Sequence, residues 1–190
     1  MSDPVYCYPP DYIVLKNKLD LRDAAQLDYV EREFVTPRTI QGIPSGDFDL
    51  THLRAVHRHL FQDVCDWAGD VRTVEIAKGG SQFQFRRYIA TGMADVHRRL
   101  VATDYLRRLA PIDFAARAGE IIGDVNSIHP FREGNGRTQM LYLDQLAARA
   151  GHRLELRSIV REEWMVACIE APRGQYAALG ACIRKARIVH

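Results

Sequence analysis

None of the four cysteines (Cys7, Cys65, Cys168, Cys182) forms a C-x-x-C pair, and in 190 residues they are too sparse for a disulfide framework. A reducing compartment therefore fits the chain best. The start, Met1-Ser2-Asp3-Pro4, lacks the basic and apolar regions of a secretory signal, and no run reaches the ~18 apolar residues of a membrane span. The expectation is a cytoplasmic protein, with delivery into another cell by a signal-independent route left open. Charge of one sign is also missing. The formal net charge of +2 gives no basic surface suited to direct nucleic-acid or membrane binding. Doublets such as Arg86-Arg87 and Arg98-Arg99 read as solvated helix faces. Internal repeats and low-complexity tracts are absent too, which excludes solenoids and disordered tails.

What remains is an ordinary globular composition, 47% hydrophobic and 26% charged, long enough for one domain over residues 1–190 to bury a core unaided. Residues 1–12, with Tyr6, Tyr8, Pro9, Pro10 and Tyr12, read as an extended arm. Asp20 is a candidate cap for a first helix that Pro37 ends or kinks, and Asp49 for a second with the stripe Leu53, Val56, Leu60, Phe61 and Val64. The period changes over Val71–Phe85, and Gly79-Gly80 between β-prone runs predicts a hairpin within residues 70–85. Helical spacing resumes over Arg86–Leu109, from Pro111 or Asp113 to Ile128, over Thr138–Ala150, and near 159–170 and 174–187. The fold class is all-α, carrying one small hairpin. His52, His57 and His59 share a predicted helix without the i,i+4 spacing of metal ligands, and Trp67 and Trp164 read as packing residues.

One junction between helices concentrates chemistry. His129-Pro130-Phe131-Arg132-Glu133-Gly134-Asn135-Gly136-Arg137 places small residues just before a helix start. Gly134, Asn135 and Gly136 offer consecutive N–H groups for an anion nest, reinforced by the helix N-terminus. Arg137 adds a planar cationic fork suited to phosphate oxygens. Glu133 supplies one hard oxygen ligand, enough for Mg²⁺ when phosphates complete the shell. His129 has the titration range of a general base. Each residue alone has a bland reading as a tight turn or helix cap. Together they describe transfer of a nucleotide's phosphate moiety onto a hydroxyl.

The string resembles the Fic family signature, H-x-F-x-[D/E]-G-N-G-R-x-x-R. Trp67-Ala68-Gly69-Asp70-Val71-Arg72-Thr73 and Lys78-Gly79-Gly80 resemble the approach to that family's flap. The resemblance implies a Fic-type helical domain whose active-site loop and following helix start occupy residues 129–140. It implies a protein adenylyltransferase using Mg-ATP to modify a Ser, Thr or Tyr hydroxyl of a target protein. His129 would take the hydroxyl proton, Glu133 hold Mg²⁺, and Gly134, Asn135 and Gly136 hold the phosphates. Arg137 would meet the β-phosphate, and Phe131 would fix the loop by packing. The flap, Ala77, Lys78, Gly79, Gly80, Ser81, Gln82 and Phe83, would register the target by adding a strand.

The last arginine of the signature falls on Met140. Three readings stay open: weaker ATP binding with unchanged chemistry, a different donor such as one of UMP, phosphate or phosphocholine, or a degenerate binding module. The [S/T]-x-x-x-E-[G/N] helix of self-inhibited members is also missing, since Ser158-Ile159-Val160-Arg161-Glu162-Glu163 ends in the wrong residue. The resemblance thus points to the toxin of a toxin–antitoxin pair, whose small antitoxin partner supplies the inhibitory glutamate.

Overall fold

The computed structural model describes residues 3–78 and 81–187, with Ser81 described by its backbone alone. Seven α-helices and one hairpin make up the described residues: α1 (Ala24–Ile40), α2 (Leu50–Phe61), β1 (Ala77–Lys78), β2 (Ser81–Gln82), α3 (Ile89–Ala102), α4 (Pro111–Ile128), α5 (Asn135–Ala150), α6 (Arg161–Glu170) and α7 (Ala177–Lys185). No helix among them is long and apolar enough to cross a membrane.

Helix α4 is the axis of the core. Pro111 opens it, where a missing N–H costs nothing, and ten of its eighteen residues are buried. Phe114, Ile121, Ile122, Val125 and Ile128 recur at helical spacing and meet Tyr142, Leu143 and Leu146 of α5 and Leu179 and Ile183 of α7. Each such large side chain contributes roughly 1.5–3 kcal/mol by leaving water. The α4–α7 crossing is very close. A Cβ on Gly119 would lie 2.6 Å from the Gly180 nitrogen, so that contact requires glycine.

Several sequence expectations shift. Asp23, not Asp20, caps α1 by accepting from the Gln26 N–H at 2.8 Å. Pro37 neither ends nor bounds α1, which continues to Ile40. The carbonyl that Pro37 cannot serve belongs to exposed Glu33, where water can serve it, and Leu27 and Val35 hold the helix by packing. The run Arg86–Leu109 is not one helix. A 3₁₀ turn over Arg86–Tyr88 precedes α3, and the Thr103 hydroxyl closes α3 on the Arg99 carbonyl at 2.9 Å. Helix α5 starts three residues before Thr138, at Asn135, which brings Gly136 and Arg137 into its first turn. The hairpin forms where expected, with Ala77 paired to Gln82 and Lys78 to Ser81. Its Gly79-Gly80 turn lies outside the described residues. Asp49 caps α2 as expected, accepting from the His52 N–H at 2.7 Å.

Candidate active site

The end of α4 sets the position of His129. This residue takes left-handed backbone angles (φ 48°), and its N–H still closes the helix on the Val125 carbonyl at 3.0 Å. Its Nδ1 lies 3.0 Å from the Asn126 carbonyl. A carbonyl only accepts, so Nδ1 carries the hydrogen and Nε2 keeps its lone pair. Phe83, from the exit of the flap, lies flat on the imidazole, with centroids 3.7 Å apart and planes 16° apart. Burial pushes the His129 pKa down to about 4; Asn126 and Glu133 oppose the shift, and the charges of Arg72 and Lys78 assist it. The ring is therefore neutral at pH 7, with one nitrogen ready for a proton.

The loop after His129 is held from inside. Phe131 is fully buried and stacks on His57 at 3.9 Å and 18°. The buried Asn135 amide spans the Phe131 backbone, accepting from its N–H at 3.0 Å and donating to its carbonyl at 2.8 Å. The resemblance implies a phosphate contact for Asn135; here both polar ends of its side chain brace the loop. Gly134 caps α5 with φ 80°, and a Cβ there would sit 2.5 Å from the Phe61 ring. Both the backbone angle and the space require glycine.

The outward side differs. Glu133 and Gly136 are exposed and Arg137 is half-buried at the start of α5. One Glu133 oxygen accepts from the Gly134 N–H at 3.0 Å. Among the described residues no three His, Cys, Asp or Glu side chains converge as metal ligands, so no all-protein cage forms. A single exposed carboxylate beside a helix N-terminus does fit Mg²⁺, which takes one or two carboxylates and leaves the rest to phosphates and water. The first-turn N–H groups of α5 face that side with the positive end of the helix dipole. Arg137 lies 4.7 Å over the Phe61 ring and is ion-paired to Glu31 of α1. Met140, one turn on, is half-buried, packs against the core and carries no charge.

Four contributors have no signal in the motif. His57 accepts from the Gly69 N–H on Nδ1 (2.8 Å) and meets the Glu133 carbonyl with Nε2 (3.0 Å), so it buttresses the loop. Arg72 donates from Nε to the His129 carbonyl at 2.8 Å. Glu31 is the partner of Arg137, and burial raises its pKa against the pull of that arginine. Asp3, in the N-terminal arm, holds Arg132 at 2.5 Å. All four depend on contacts between distant parts of the chain. A buried polar residue inside an apolar stripe, as with His57, is the nearest thing to a sequence cue. The two other histidines of α2 serve structure: His52 bridges the Phe48 N–H and the Pro44 carbonyl, and His59 meets the Arg38 carbonyl.

The Fic/DOC family profile matches residues 47–147, from before α2 into the last turn of α5. The chain is a member of the Fic/DOC family. It is 38% identical over 186 residues to "Probable protein adenylyltransferase y4lH" of Sinorhizobium fredii, covering 97% of this chain and 96% of that protein. It is 37% identical to the protein adenylyltransferase VbhT of Bartonella schoenbuchensis, over 93% of this chain and 37% of the longer relative. Among solved structures, the ADP-bound N-terminal Fic domain of a VirB-translocated Bep effector protein from Bartonella quintana superimposes with a TM-score of 0.86. That pair is 25% identical and covers 96% and 94% of the two chains. The fold expected from the resemblance, helices with one hairpin beside the loop, is the fold found.

Proposed function

We propose that this Fic/DOC member is a protein adenylyltransferase that moves AMP from ATP to a Ser, Thr or Tyr hydroxyl of a target protein. The observation that carries the reading is the pairing of an unprotonated His129 Nε2 with the phosphate-seeking N-terminus of α5. The names of relatives at 37–38% identity support it. His129 takes the hydroxyl proton on Nε2 while the hydroxyl oxygen bonds the α-phosphorus and pyrophosphate leaves with the electrons of the broken bond. A phosphate anion nearby raises the pKa of His129 from its low resting value, which strengthens the base as substrate binds. Gly134, Asn135 and Gly136 present the loop and helix N–H groups to the phosphates, and Arg137 meets the β-phosphate. Glu133 holds Mg²⁺, which when bound neutralises phosphate charge. The flap, from Ala77 to Phe83, registers the target by backbone pairing.

Met140 favours a second reading on one point. A side chain packed on the core supplies no charge for a terminal phosphate, so a donor other than ATP, such as UMP or phosphocholine chemistry, is the competing choice. Regulation by a small antitoxin that brings a glutamate to the site completes the proposal. The test is incubation with α-labelled ATP, Mg²⁺ and a cell lysate beside His129→Ala, then a panel of other donors read by mass shift. A labelled band that needs His129 is expected with ATP; label from another nucleotide alone moves the reading to the second donor class, and no label from any donor removes it.

A further inference from the structure

Arg72 is the largest fully buried side chain among the described residues, and its guanidinium contacts converge on backbone. Its Nε donates to the His129 carbonyl at 2.8 Å, and its Nη2 reaches the Ile128 carbonyl at 3.4 Å. On the flap side, Nη1 donates to the Val74 carbonyl at 2.8 Å and Nη2 to the Gln84 carbonyl. Nη1 also meets the Glu75 carboxylate at 3.3 Å. The Arg72 N–H donates to the Pro130 carbonyl at 2.9 Å, and the Gln84 N–H to the Ser127 carbonyl at 3.0 Å. One side chain thus gathers the two backbone segments that enter and leave the hairpin together with the C-terminus of α4.

That grouping is more than core packing demands. A charged group buried this fully costs several kcal/mol unless each donor is answered, and an apolar side chain would fill the space more cheaply. The guanidinium fork suits the task because its donors leave in fixed planar directions, which a lysine ammonium cannot reproduce. The helix C-terminus supplies the negative end of a dipole, where a cation is favoured. The hairpin itself is too short to hold its own place, with two residues per strand. Its position relative to the imidazole therefore comes from elsewhere, and Phe83, stacked on His129, shows that the position is defined.

We propose that Arg72 is a positioning residue, which fastens both feet of the flap to the backbone of His129 so that a hydroxyl presented on the flap arrives at the base in register. This rests on the adenylyltransferase reading for its activity arm only. It predicts a separation of effects. Nucleotide binds on the α5 side, which Arg72 does not touch, so Arg72 governs transfer and leaves Mg-ATP affinity alone.

The experiment compares the full natural chain with Arg72→Lys and Glu75→Gln. Three readouts are taken: amide exchange over residues 74–85 against α5 and α7, the Mg-ATP Kd by calorimetry, and His129-dependent labelling of lysate proteins by α-labelled ATP. In Arg72→Lys, flap amides exchange about tenfold faster or more while α5 and α7 stay protected. Labelling drops on the order of tenfold to a hundredfold through misplacement, and the Kd stays within about twofold. Flap exchange and labelling both within about twofold of the natural chain overturn the proposal, as does a Kd that weakens in step with labelling. If the natural chain itself labels nothing, the adenylyltransferase reading fails, and the exchange data still decide whether Arg72 holds the flap. If Arg72→Lys loses protection everywhere, Glu75→Gln decides. It removes the carboxylate charge that faces Arg72 at a half-exposed site while keeping an acceptor oxygen, and about threefold faster flap exchange is expected, with unchanged exchange counting against the proposal.

Discussion

Two histidines lie on opposite sides of the same loop, His57 from α2 and His129 from the end of α4. Burial pushes both down to about 4, so titration behaviour does not distinguish them. Hydrogen bonding does. His57 uses both ring nitrogens, on the Gly69 N–H and the Glu133 carbonyl, and its faces are packed by Phe131 and Phe61. His129 engages Nδ1 with the Asn126 carbonyl, and that bond leaves Nε2 unprotonated. A depressed pKa marks only a buried imidazole; the base role proposed for His129 rests on its uncommitted nitrogen. The region around His57 carries the loop, and the region around His129 uses it.

Substitution of each histidine breaks or sharpens this contrast most strongly. His129→Ala is expected to lower transfer by about 10²–10⁴, the usual contribution of general base catalysis, with unfolding free energy changed by under about 1.5 kcal/mol. His57→Ala strands a buried N–H and a carbonyl and opens a cavity beside Phe131, so a loss of about 3 kcal/mol or more in urea unfolding is expected. Similar unfolding losses for the two variants would erase the distinction.

Next in size is Gly134→Ala. The methyl group meets the Phe61 ring at 2.5 Å and the left-handed angle adds strain, so about 2–4 kcal/mol of stability is lost. Gly136→Ala has open space around its Cβ position and serves as the control. Equal thermal midpoints for the two variants would mean that the loop is not seated on Phe61.

Acid titration tests the His57 side directly. Its folded pKa, about 4, lies below the ordinary 6.5, so the unfolded chain binds the extra proton between those values. Stability is full above pH 6.5 and is lost as pH falls toward 4, by on the order of 3 kcal/mol from this group. Urea midpoints at pH 7.5 and pH 4.5 check the slope, and His57→Gln should remove about half of the histidine contribution, the rest belonging to His129, whose pKa is lowered alike.

How much of this was legible in the sequence depended on range. The faces of α2, α4 and α5 follow from local spacing, and the motif shows which residues share one loop. Asn135 shows the limit of the motif: its place beside two glycines suggests a phosphate ligand, while its side chain closes on Phe131 four residues back. Pro37 misleads because a breaker at an exposed carbonyl is tolerated when Leu27 and Val35 pack the helix before it and the Arg38–Asp63 ion pair holds the turn just after it. Arg72, Glu31 and Asp3 reach the site from 57, 106 and 129 residues away in sequence, and no periodicity encodes such contacts.

On the proposed nucleotide side, Met140→Arg supplies the cation that the family signature has at this position. A charge-assisted contact contributes roughly 1.5–3 kcal/mol, and the lost packing of the methionine offsets part of it. The expected net is a Kd for Mg-ATP about tenfold tighter by calorimetry, a gain of about 1.4 kcal/mol. An unchanged Kd would indicate that position 140 does not reach the phosphates in this chain.

The smallest expected effect comes from Glu31→Gln, and it separates two roles for that carboxylate. Burial raises its pKa although Arg137 pulls the other way, so the ionised form is held at a cost at neutral pH. That cost is fully present above the raised folded value and is relieved as pH falls through it. The glutamine variant should therefore equal or exceed the natural chain in stability at pH 8, by no more than about 1 kcal/mol, and lose that advantage toward pH 4. Removing an anion from beside Arg137 also frees the guanidinium for phosphate, so Mg-ATP should bind up to about threefold more tightly. A weaker Kd would reverse the assignment: Glu31 would then be the group that presents Arg137 to the nucleotide, and the ion pair would belong with the loop-holding contacts of His57.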